Sequence, residues 1–448
     1  MKIAYLTAGA AGMYCGSCMH DNALARQLQR EGVDCLLLPV YTPIRTDEQD
    51  VSTEQVFFGG VHIYLLQKMP LLRYLPRIFW RTLDAPRFLR WATRGVGSTS
   101  PELLGDMAVS MLQGRHGKQR DEVDRLATWL GQDLQPDCVI LSNLLIGGAI
   151  PAIRQACPGA SIYVTLQGDD IFIDHLKPVD RERVLELMQG LVRQVDRFIV
   201  HSQFYADKMS QLLQIPQEQI AVLPLAIDAT PFLADQPERS AVAAAAEVAA
   251  EATSNAERTI GYLARLAPEK GLHHLVDAFV DVAKRKGNED VRLRIAGWQG
   301  PQHEAYVEEL KGRLSEQGVL DRVHFHGSPD LAGKVEFLKQ IDVLCVPTDY
   351  HEPKGLFVLE AWATGVPVVQ PEHGAFPELL TIAGGGCLVP PGNAVALADQ
   401  LHALLADAPL RQRLGAAGKQ YVQAHATIEQ HASKLLQLLR ESSPPRTS

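Results

Sequence analysis

Residues 349–371 read DYHEPKGLFVLEAWATGVPVVQP, a polar loop that leads into an apolar helix and then into a β-branched strand. The loop and the helix carry two acids, Glu352 and Glu360, on either side of Gly355. A glycine here allows the backbone to approach a ligand closely. The stretch therefore predicts one loop, helix and strand unit of an α/β sheet, with a ligand at the start of the helix.

The two acids suit the hydroxyl groups of a nucleoside diphosphate-sugar. Glu360 can accept hydrogen bonds from the vicinal hydroxyls of a ribose, and Glu352 can reach the hydroxyls of a transferred sugar. The free N–H groups of Leu356 and Phe357 at the helix start favour a phosphate. The alternative is an ordinary helix whose acidic first turn is stabilised by the helix dipole. The motif alone leaves both interpretations open.

Similar apolar runs alternate with helical patterns along most of the 448 residues. The first half contains KIAYLT, DCLLLPV, VHIYLL, CVILS, SIYVTL, RFIVH and IAVLPL, and the second half contains TIGYLA, VRLRIAG, VHFHG, DVLCVP, VPVVQP and CLVP. Continuous apolar strands separated by helices indicate parallel sheets that are covered on both faces. We predict an α/β protein with two doubly wound, Rossmann-like domains.

The predicted domain boundary is an alanine-rich stretch that lacks large apolar side chains. Residues 1–233 form an N-terminal, acceptor-side domain, residues 234–257 a linker or exposed insertion, and residues 258–425 a C-terminal, nucleotide-sugar-binding domain. Residues 426–448 form a C-terminal helix followed by a flexible polar tail.

The composition is that of a globular protein with a small-molecule partner. The net charge of −9 and the pI near 5.9 argue against general nucleic-acid binding, which needs a basic surface. The chain has no apolar run of eighteen residues that could span a membrane, and KIAYLT is typical of a core strand rather than of a signal peptide. Seven cysteines, mostly inside apolar strands, favour reduced thiols in a cytosolic protein.

Cys15 and Cys18 form a C-x-x-C pair, which occurs in redox sites and as half of a zinc site. A zinc site needs two more ligands at suitable spacing, and the sequence has no second C-x-x-C and no H-x-x-x-H. The pair is therefore interpreted as small residues in a tight loop, with metal or redox chemistry as the alternative.

Two cations follow the first strand of the second domain, in TIGYLARLAPEKG. Arg265 and Lys270 lie beyond a carboxyl strand end, where ligands bind in open α/β sheets. A guanidinium and an ammonium together can hold a pyrophosphate and stabilise negative charge on it. The alternative is a solvated surface pair.

A small-residue loop, AGAAGMYCGSC, follows the first strand of the chain. Gly9, Gly12 and Gly16 would allow backbone amides to approach a phosphate. The loop does not match G-x-G-x-x-G, so it is not the dinucleotide fingerprint.

Together these segments resemble the GT-B glycosyltransferases of family 4, the retaining, nucleotide-sugar-dependent group. The resemblance covers nearly the whole chain, and its most specific elements are RLAPEKG, VHFHG and EPKGLFVLEAWATGVPVV with seven residues between the two glutamates. It implies that the two domains face each other across a cleft and that the C-terminal helix returns to the first domain.

The resemblance also implies roles for individual residues. Arg265 and Lys270 would bind the diphosphate, and Glu352 would bind the donor sugar; these three are the predicted catalytic residues. The other implied donor contacts are Gly355, Leu356 and Phe357 for sugar or phosphate, Glu360 for the ribose, Gly327 and Ser328 near the base, and Gly12 and Gly16 beside the diphosphate.

One position departs from the family pattern. After the strand SIYVTL, family members often carry a histidine, and Gln167 occupies this place. Glutamine cannot shuttle a proton, although it can donate and accept hydrogen bonds. Asp169 and Asp170 follow, and either could contact an acceptor hydroxyl or form an ordinary acidic cap or turn.

Residues 68–95 gather six arginines and two tryptophans in an otherwise acidic chain. Such a segment could lie at an anionic membrane surface and bring the site to a lipid-linked acceptor. The alternative is a helical subdomain packed on the first domain, which three prolines favour by breaking any long helix.

The predicted activity is that of a retaining, hexosyltransferase-type glycosyltransferase in glycan or glycolipid biosynthesis. It would move a sugar from a nucleoside diphosphate-sugar to a hydroxyl acceptor on a glycan, a lipid-linked sugar or a small metabolite. No cofactor, no metal and no nucleic acid are predicted, and the location is cytoplasmic, with peripheral contact to the inner membrane face through 68–95 as an option. The alternatives are a nucleotide-sugar epimerase of similar fold, or a catalytically silent nucleotide-sugar-binding protein.

Overall fold

The computed structural model describes residues 1–9, 16–44, 46, 49–53, 101–234 and 257–442. The chain forms two compact units. The first comprises Met1–Pro224 together with the residues from Ile428 onward, and the second comprises Leu225–Thr427.

The first unit is built on a six-stranded parallel sheet with strand order β2-β1-β3-β4-β5-β6. Its strands are β1 (Lys2–Thr7), β2 (Asp34–Pro39), β3 (Cys138–Leu141), β4 (Ser161–Thr165), β5 (Arg197–Val200) and β6 (Ile220–Val222). Its helices are α1 (Gly16–Arg30), α2 (Pro101–Leu112), α3 (Arg120–Trp129), α4 (Ile150–Ala156), α5 (Asp169–Asp174), α6 (Pro178–Leu191), α7 (Gln203–Leu213) and, from the C-terminal end, α16 (Ile428–Ser442).

Successive side chains of a strand point to opposite faces of the sheet, and helices cover both faces of this one. Ala4 and Leu6 of β1 belong to one core, which helices α2, α3, α4, α6 and α7 cover. Ile3 and Tyr5 belong to the core on the other face, where α1 and α16 pack. The continuous apolar run of β1 therefore forms a central strand buried on both faces, as in a doubly wound sheet.

The second unit is built on another six-stranded parallel sheet, with strand order β12-β11-β10-β7-β8-β9. Its strands are β7 (Arg258–Leu263), β8 (Val291–Ala296), β9 (Val323–Phe325), β10 (Val343–Cys345), β11 (Val368–Pro371) and β12 (Gly386–Val389). Its helices are α8 (Thr230–Leu233), α9 (Leu272–Lys284), α10 (Glu304–Glu316), α11 (Leu331–Leu338), α12 (Leu356–Ala363), α13 (Phe376–Ala383), α14 (Ala394–Ala406) and α15 (Ala408–His425).

The predicted fold class, two doubly wound parallel-sheet α/β domains, is confirmed. The unit boundary lies after Pro224 and not at residue 233, because Leu225, Ile227 and Phe232 pack into the core of the second unit. The predicted strand VHIYLL, the basic segment 68–95 and nearly all of the linker 234–257 lie outside the described residues. Among the helices that the structure describes, none combines the length and the apolar character needed to span a membrane.

Candidate functional site

The carboxyl ends of β7 and β10, which are neighbours in the second sheet, bring Lys270 and Glu352 together. Lys270 ends a short 3₁₀ turn after β7, and its Nζ donates a hydrogen bond of 3.0 Å to Oε2 of Glu352. The hydroxyl of Tyr350 donates to the same oxygen at 2.5 Å. Nζ of Lys270 also lies 5.7 Å from the ring centre of Phe357, within the range of a cation–π contact. Lys270, predicted to bind phosphate, and Glu352, predicted to bind sugar, thus form one partly buried cluster.

The charge of Glu352 is stabilised by its partners. Burial would raise the pKa of this carboxyl, but the positive charge of Lys270, hydrogen bonds from Tyr350 and Lys270, and the charge of Lys354 together lower it from 4.5 to about 2. Glu352 is therefore ionised and can only accept hydrogen bonds, which suits it to sugar hydroxyls.

Acid should remove the stability that this ionised carboxylate gives to the second unit. Because the pKa of Glu352 is lower in the folded chain than in the unfolded chain, its contribution is complete above about pH 4.5 and is lost as the pH falls toward about 2. The difference corresponds to about 3 kcal/mol. Urea unfolding between pH 5 and pH 2.5 measures it. The variant Glu352→Gln should show a flatter pH dependence than the native chain, and identical slopes would contradict the assignment.

Helix α12 begins directly after Gly355, where the sequence predicts the start of a helix. Gly355 adopts a φ of 81°, in the left-handed region, and caps the helix. The backbone N–H groups of Lys354 and Gly355 face Oε1 of Glu352 at 3.3 and 3.4 Å. Leu356 and Phe357 occupy the first two helical positions, where no preceding turn supplies a backbone acceptor.

Glu360, on the second turn of α12, forms a buried ion pair with Lys334 of α11 at 2.8 Å. A buried charge is stable only when it is paired, and Lys334 supplies the partner that fixes the Glu360 carboxylate in position. Gly327 and Ser328 are exposed in the loop between β9 and α11, and the carbonyl of Gly327 accepts a hydrogen bond from Gly297 after β8. These groups lie at the same carboxyl edge of the sheet.

Arg265 is at this edge as well, but it does not contact Glu352. Its guanidinium forms an ion pair with Glu269 at 3.2 Å, and its side chain is 37% exposed. Burial chiefly raises the pKa of Tyr350, and the charge of Arg265 acts in the opposite direction. Arg265 is thus near the cluster, with its guanidinium open to solvent.

Gly271 holds the turn that carries Lys270. Its φ is 70°, and a Cβ atom there would lie 1.7 Å from the carbonyl oxygen of Pro347. We expect Gly271→Ala to lower the free energy of unfolding by about 3 kcal/mol or more, since the left-handed conformation alone costs about 1–2 kcal/mol. Gly287 is the matched control, because its φ is 84° but nothing lies within 4 Å of the added atom.

Urea unfolding of both variants tests this prediction. Gly287→Ala should show only the smaller, conformational cost of about 1–2 kcal/mol. Equal losses in the two variants would mean that the close approach of Pro347 to Gly271 has no energetic consequence.

In the first unit, the predicted acceptor-side position Gln167 is held by internal hydrogen bonds. Its Nε2 donates to Oδ1 of Asp21 at 2.9 Å and to the carbonyl of Ser142 at 3.3 Å. Asp21, on α1, also accepts from the hydroxyls of Tyr5 at 2.7 Å and Thr7 at 3.1 Å. The amide of Gln167 therefore connects the end of β4 to α1.

Asp169 and Asp170 are buried at the start of α5, and their oxygens are engaged inside the unit. Asp169 accepts from two backbone N–H groups, at 2.8 and 3.1 Å, while burial raises its pKa to about 6. Asp170 accepts from the hydroxyl of Tyr205 and from Nζ of Lys208, both at 2.6 Å. These contacts favour the structural interpretation of the two acids over the acceptor-binding one.

The loop after β1 is only partly described. Gly12 and Cys15 lie outside the described residues, and Gly16 is the first residue of α1. Cys18 is a buried residue of α1 in the core of the first unit and not a loop residue.

Two family models match the chain. The glycosyl transferase 4-like domain matches residues 21–226, and glycosyl transferases group 1 matches residues 245–421. The chain belongs to the GT-B glycosyltransferases of family 4.

Curated relatives of this family 4 chain match it over part of its length. It is 36% identical to phosphatidyl-myo-inositol mannosyltransferase of Mycobacterium leprae over 169 residues, which is 38% of this chain and 42% of that protein. It is 30% identical, over 237 residues, to the GDP-mannose-dependent alpha-(1-6)-phosphatidylinositol monomannoside mannosyltransferase of Mycobacterium tuberculosis, covering 52% of this chain and 58% of that protein. Both matches span less than two thirds of the relative.

Solved GT-B structures share the fold over almost the whole chain. Sucrose-phosphate synthase from Thermosynechococcus elongatus aligns with a TM-score of 0.69 at 20% identity, covering 98% of this chain and 99% of that one. The Anabaena protein HepE in complex with UDP aligns with a TM-score of 0.68 at 17% identity, covering 98% and 100%.

Two further side chains of this family 4 chain contact the predicted acids. Tyr350 donates to Glu352, and Lys334 donates to Glu360. Tyr350 is two residues before Glu352, so its place in the motif is a usable sequence signal. Lys334 belongs to a different helix, and no spacing in the sequence relates it to Glu360.

Proposed function

We propose that the chain is a retaining glycosyltransferase that moves a sugar from a nucleoside diphosphate-sugar to a hydroxyl acceptor without a catalytic metal. The observation that carries the proposal is the partly buried contact between Lys270 and Glu352 at the carboxyl edge of the second sheet. The Lys270 ammonium and the Glu352 carboxylate are 3.0 Å apart, so the first can bind a phosphate and the second the adjoining sugar of such a donor. Family membership supports the same chemistry.

The second unit would bind the donor along its strand ends. Lys270 and Arg265 would neutralise the diphosphate and stabilise the charge that develops on it as the glycosidic bond breaks. Glu352 would accept hydrogen bonds from the sugar, and Glu360, fixed by Lys334, would accept them from the ribose diol. The helix start at Leu356 would place backbone N–H groups toward a phosphate oxygen.

The transfer step does not need a side-chain base on the acceptor. The bond between the anomeric carbon and the phosphate oxygen breaks, and the acceptor oxygen bonds to the same face of the sugar. The acceptor proton passes to the departing phosphate oxygen, which Lys270 stabilises. Gln167, whose amide is hydrogen-bonded to Asp21, then serves the architecture of the first unit rather than proton transfer.

The relatives supply the first donor and acceptor candidates. The names of the mycobacterial relatives specify mannosyl transfer, to phosphatidyl-myo-inositol in one case and from GDP-mannose in the other. We propose a lipid-linked inositol or glycan acceptor, reached by an enzyme that works at the cytoplasmic membrane face. The arginine- and tryptophan-rich stretch 68–95 supports contact with anionic lipid.

A donor screen in the presence of EDTA tests the proposed function. The protein is heated with UDP-, GDP- and ADP-sugars, and one nucleotide class should raise the unfolding temperature. A ligand at 100 times its Kd stabilises the folded chain by about 2.7 kcal/mol. The selected donor is then incubated with phosphatidylinositol or glycan acceptors, and the NMR coupling of the product should show the same anomeric configuration as the donor.

Each contrary result identifies a different error. A strict requirement for manganese would contradict the metal-independent mechanism, and an inverted anomer would contradict retention. A donor that changes without any acceptor would indicate an epimerase. A donor that binds but is neither hydrolysed nor transferred across the acceptor panel would indicate a silent binding protein.

A further inference from the structure

His273, His274 and Asp349 form a group outside the cluster of Lys270 and Glu352. The two histidines lie in the first turn of α9, and Asp349 lies in the loop after β10. One ligand atom from each side chain can be chosen so that all three lie within 4.8 Å of one another. Within the described residues, only this group of three or more histidine, cysteine or acidic side chains has its ligand atoms so close together.

Both histidines present Nε2 to the same carboxylate. The Nε2 atom of His274 lies 2.7 Å from Oδ1 of Asp349, and the Nε2 atom of His273 lies 3.6 Å from Oδ2. In a tetrahedral site with bonds of about 2.0–2.2 Å, neighbouring ligand atoms are about 3.3 Å apart. Movements of less than about 1 Å would therefore give a common centre to the three ligand atoms.

Tyr306 orients His273 in the way that metal-binding histidines are commonly oriented. Its hydroxyl lies 3.1 Å from Nδ1 of His273 and also accepts the backbone N–H of that residue. A proton held on Nδ1 toward the hydroxyl leaves the lone pair of Nε2 directed at Asp349. In that tautomer Nε2 of His273 and the carboxylate of Asp349 are both acceptors, and a cation between them would satisfy both.

We propose that His273, His274 and Asp349 bind one divalent transition-metal ion through two imidazole nitrogens and one carboxylate oxygen, with water at the remaining position. Metal binding needs Nε2 of both histidines without a proton, so each neutral imidazole carries its one proton on Nδ1, and any second proton on His274 passes to solvent. The ligand set favours a transition metal such as zinc or nickel, because imidazole suits these ions, and cobalt serves as the spectroscopic probe of the same site. Magnesium and calcium prefer sites made of oxygen ligands alone.

The ion would connect two segments that lead into the donor site. The histidines follow Lys270 by three and four residues, and Asp349 precedes Glu352 by three residues. A backbone hydrogen bond of 3.1 Å from Asp349 to Glu269 already joins the two segments. The metal ion would thus link the turn after β7 to the loop after β10. This structural role needs no contact between the ion and the sugar donor.

Cobalt binding to the full, untagged chain tests the proposal without any donor or transfer assay. Metal-free protein is titrated with CoCl₂, and the visible absorption of tetrahedral cobalt should rise to an end point at one ion per chain. ZnCl₂ should then displace cobalt and abolish the absorption, whereas MgCl₂ should not. The unfolding temperature should rise with zinc, since the ion binds the folded chain selectively.

Site variants are needed because the chain has 15 histidines. Asp349→Asn and His274→Gln should each weaken cobalt binding by at least about 100-fold, because even an outer contact is worth about 10–100-fold. Tyr306→Phe should weaken it by about 10–100-fold. His324→Gln is the matched control, since His324 lies beside another histidine, His326, at 6.1 Å between ring centres, and should bind cobalt like the native chain.

Two results would overturn the proposal. One is native protein that shows no tetrahedral cobalt spectrum at equimolar metal. The other is an Asp349→Asn variant that is folded by circular dichroism and binds cobalt as tightly as the native chain. Neither result depends on sugar transfer, so failure of the metal site and failure of the proposed function are distinguishable.

Discussion

Lys270→Met should lower kcat/KM for sugar transfer by about 100- to 1,000-fold, the usual effect of removing one group that stabilises transition-state charge. Methionine is nearly as long as lysine but carries no charge to the departing diphosphate. The native ammonium lies 3.0 Å from Glu352, so its loss also leaves that buried carboxylate without its cation. Initial rates at saturating acceptor measure the effect.

The control variants separate catalysis from folding. An unpaired buried charge costs about 3–5 kcal/mol, so the double variant Lys270→Met with Glu352→Gln should restore stability without restoring transfer. Lys311→Met replaces a lysine of the same unit that pairs with Glu308 on the surface, and it should leave the rate unchanged. A folded Lys270→Met protein with a rate within about threefold of native would contradict the assigned role.

Glu360→Gln should weaken the binding of a nucleoside diphosphate by about tenfold to 100-fold. Each charge-assisted hydrogen bond to the ribose diol contributes about 1.5–3 kcal/mol, and glutamine retains only an uncharged acceptor. Isothermal titration with the nucleoside diphosphate selected by the donor screen measures the loss. Lys334 remains in the variant, so the free energy of unfolding is measured in parallel.

A dideoxynucleoside diphosphate distinguishes a ribose contact from a general effect. If Glu360 binds the diol, the native chain should bind the 2′,3′-dideoxy ligand about as weakly as Glu360→Gln binds the normal ligand. The variant should then lose little further affinity for the dideoxy ligand. An equal loss for both ligands would show that Glu360 supports the fold and does not contact the ribose.

The sequence predicted the fold because its strand signals are local. Runs such as KIAYLT and TIGYLA are apolar at consecutive positions, a pattern that parallel strands buried on both faces use. In a parallel sheet, the strand ends collect residues that are far apart in the chain, so placing Lys270 and Glu352 after their strands was sufficient to bring them together.

The remaining features depend on packing that no local pattern encodes. Lys334 of α11 pairs with Glu360 of α12 across 26 positions of sequence, and the bond from Gln167 to Asp21 spans 146 positions. Asp169 could equally have been an exposed cap or a ligand contact. Only the folded unit shows that Asp169 is buried and that its carboxylate accepts hydrogen bonds from two backbone N–H groups. The residues after Pro224 join the second core although they precede the linker.

A crystal structure with an intact, fluorinated donor sugar would show the proposed donor contacts themselves. We expect Arg265 and Lys270 to contact the diphosphate, Glu352 the sugar and Glu360 the ribose, at about 2.7–3.2 Å between hydrogen-bond donor and acceptor atoms. A donor sugar bound elsewhere, with no contact to these four side chains, would contradict the proposed donor site.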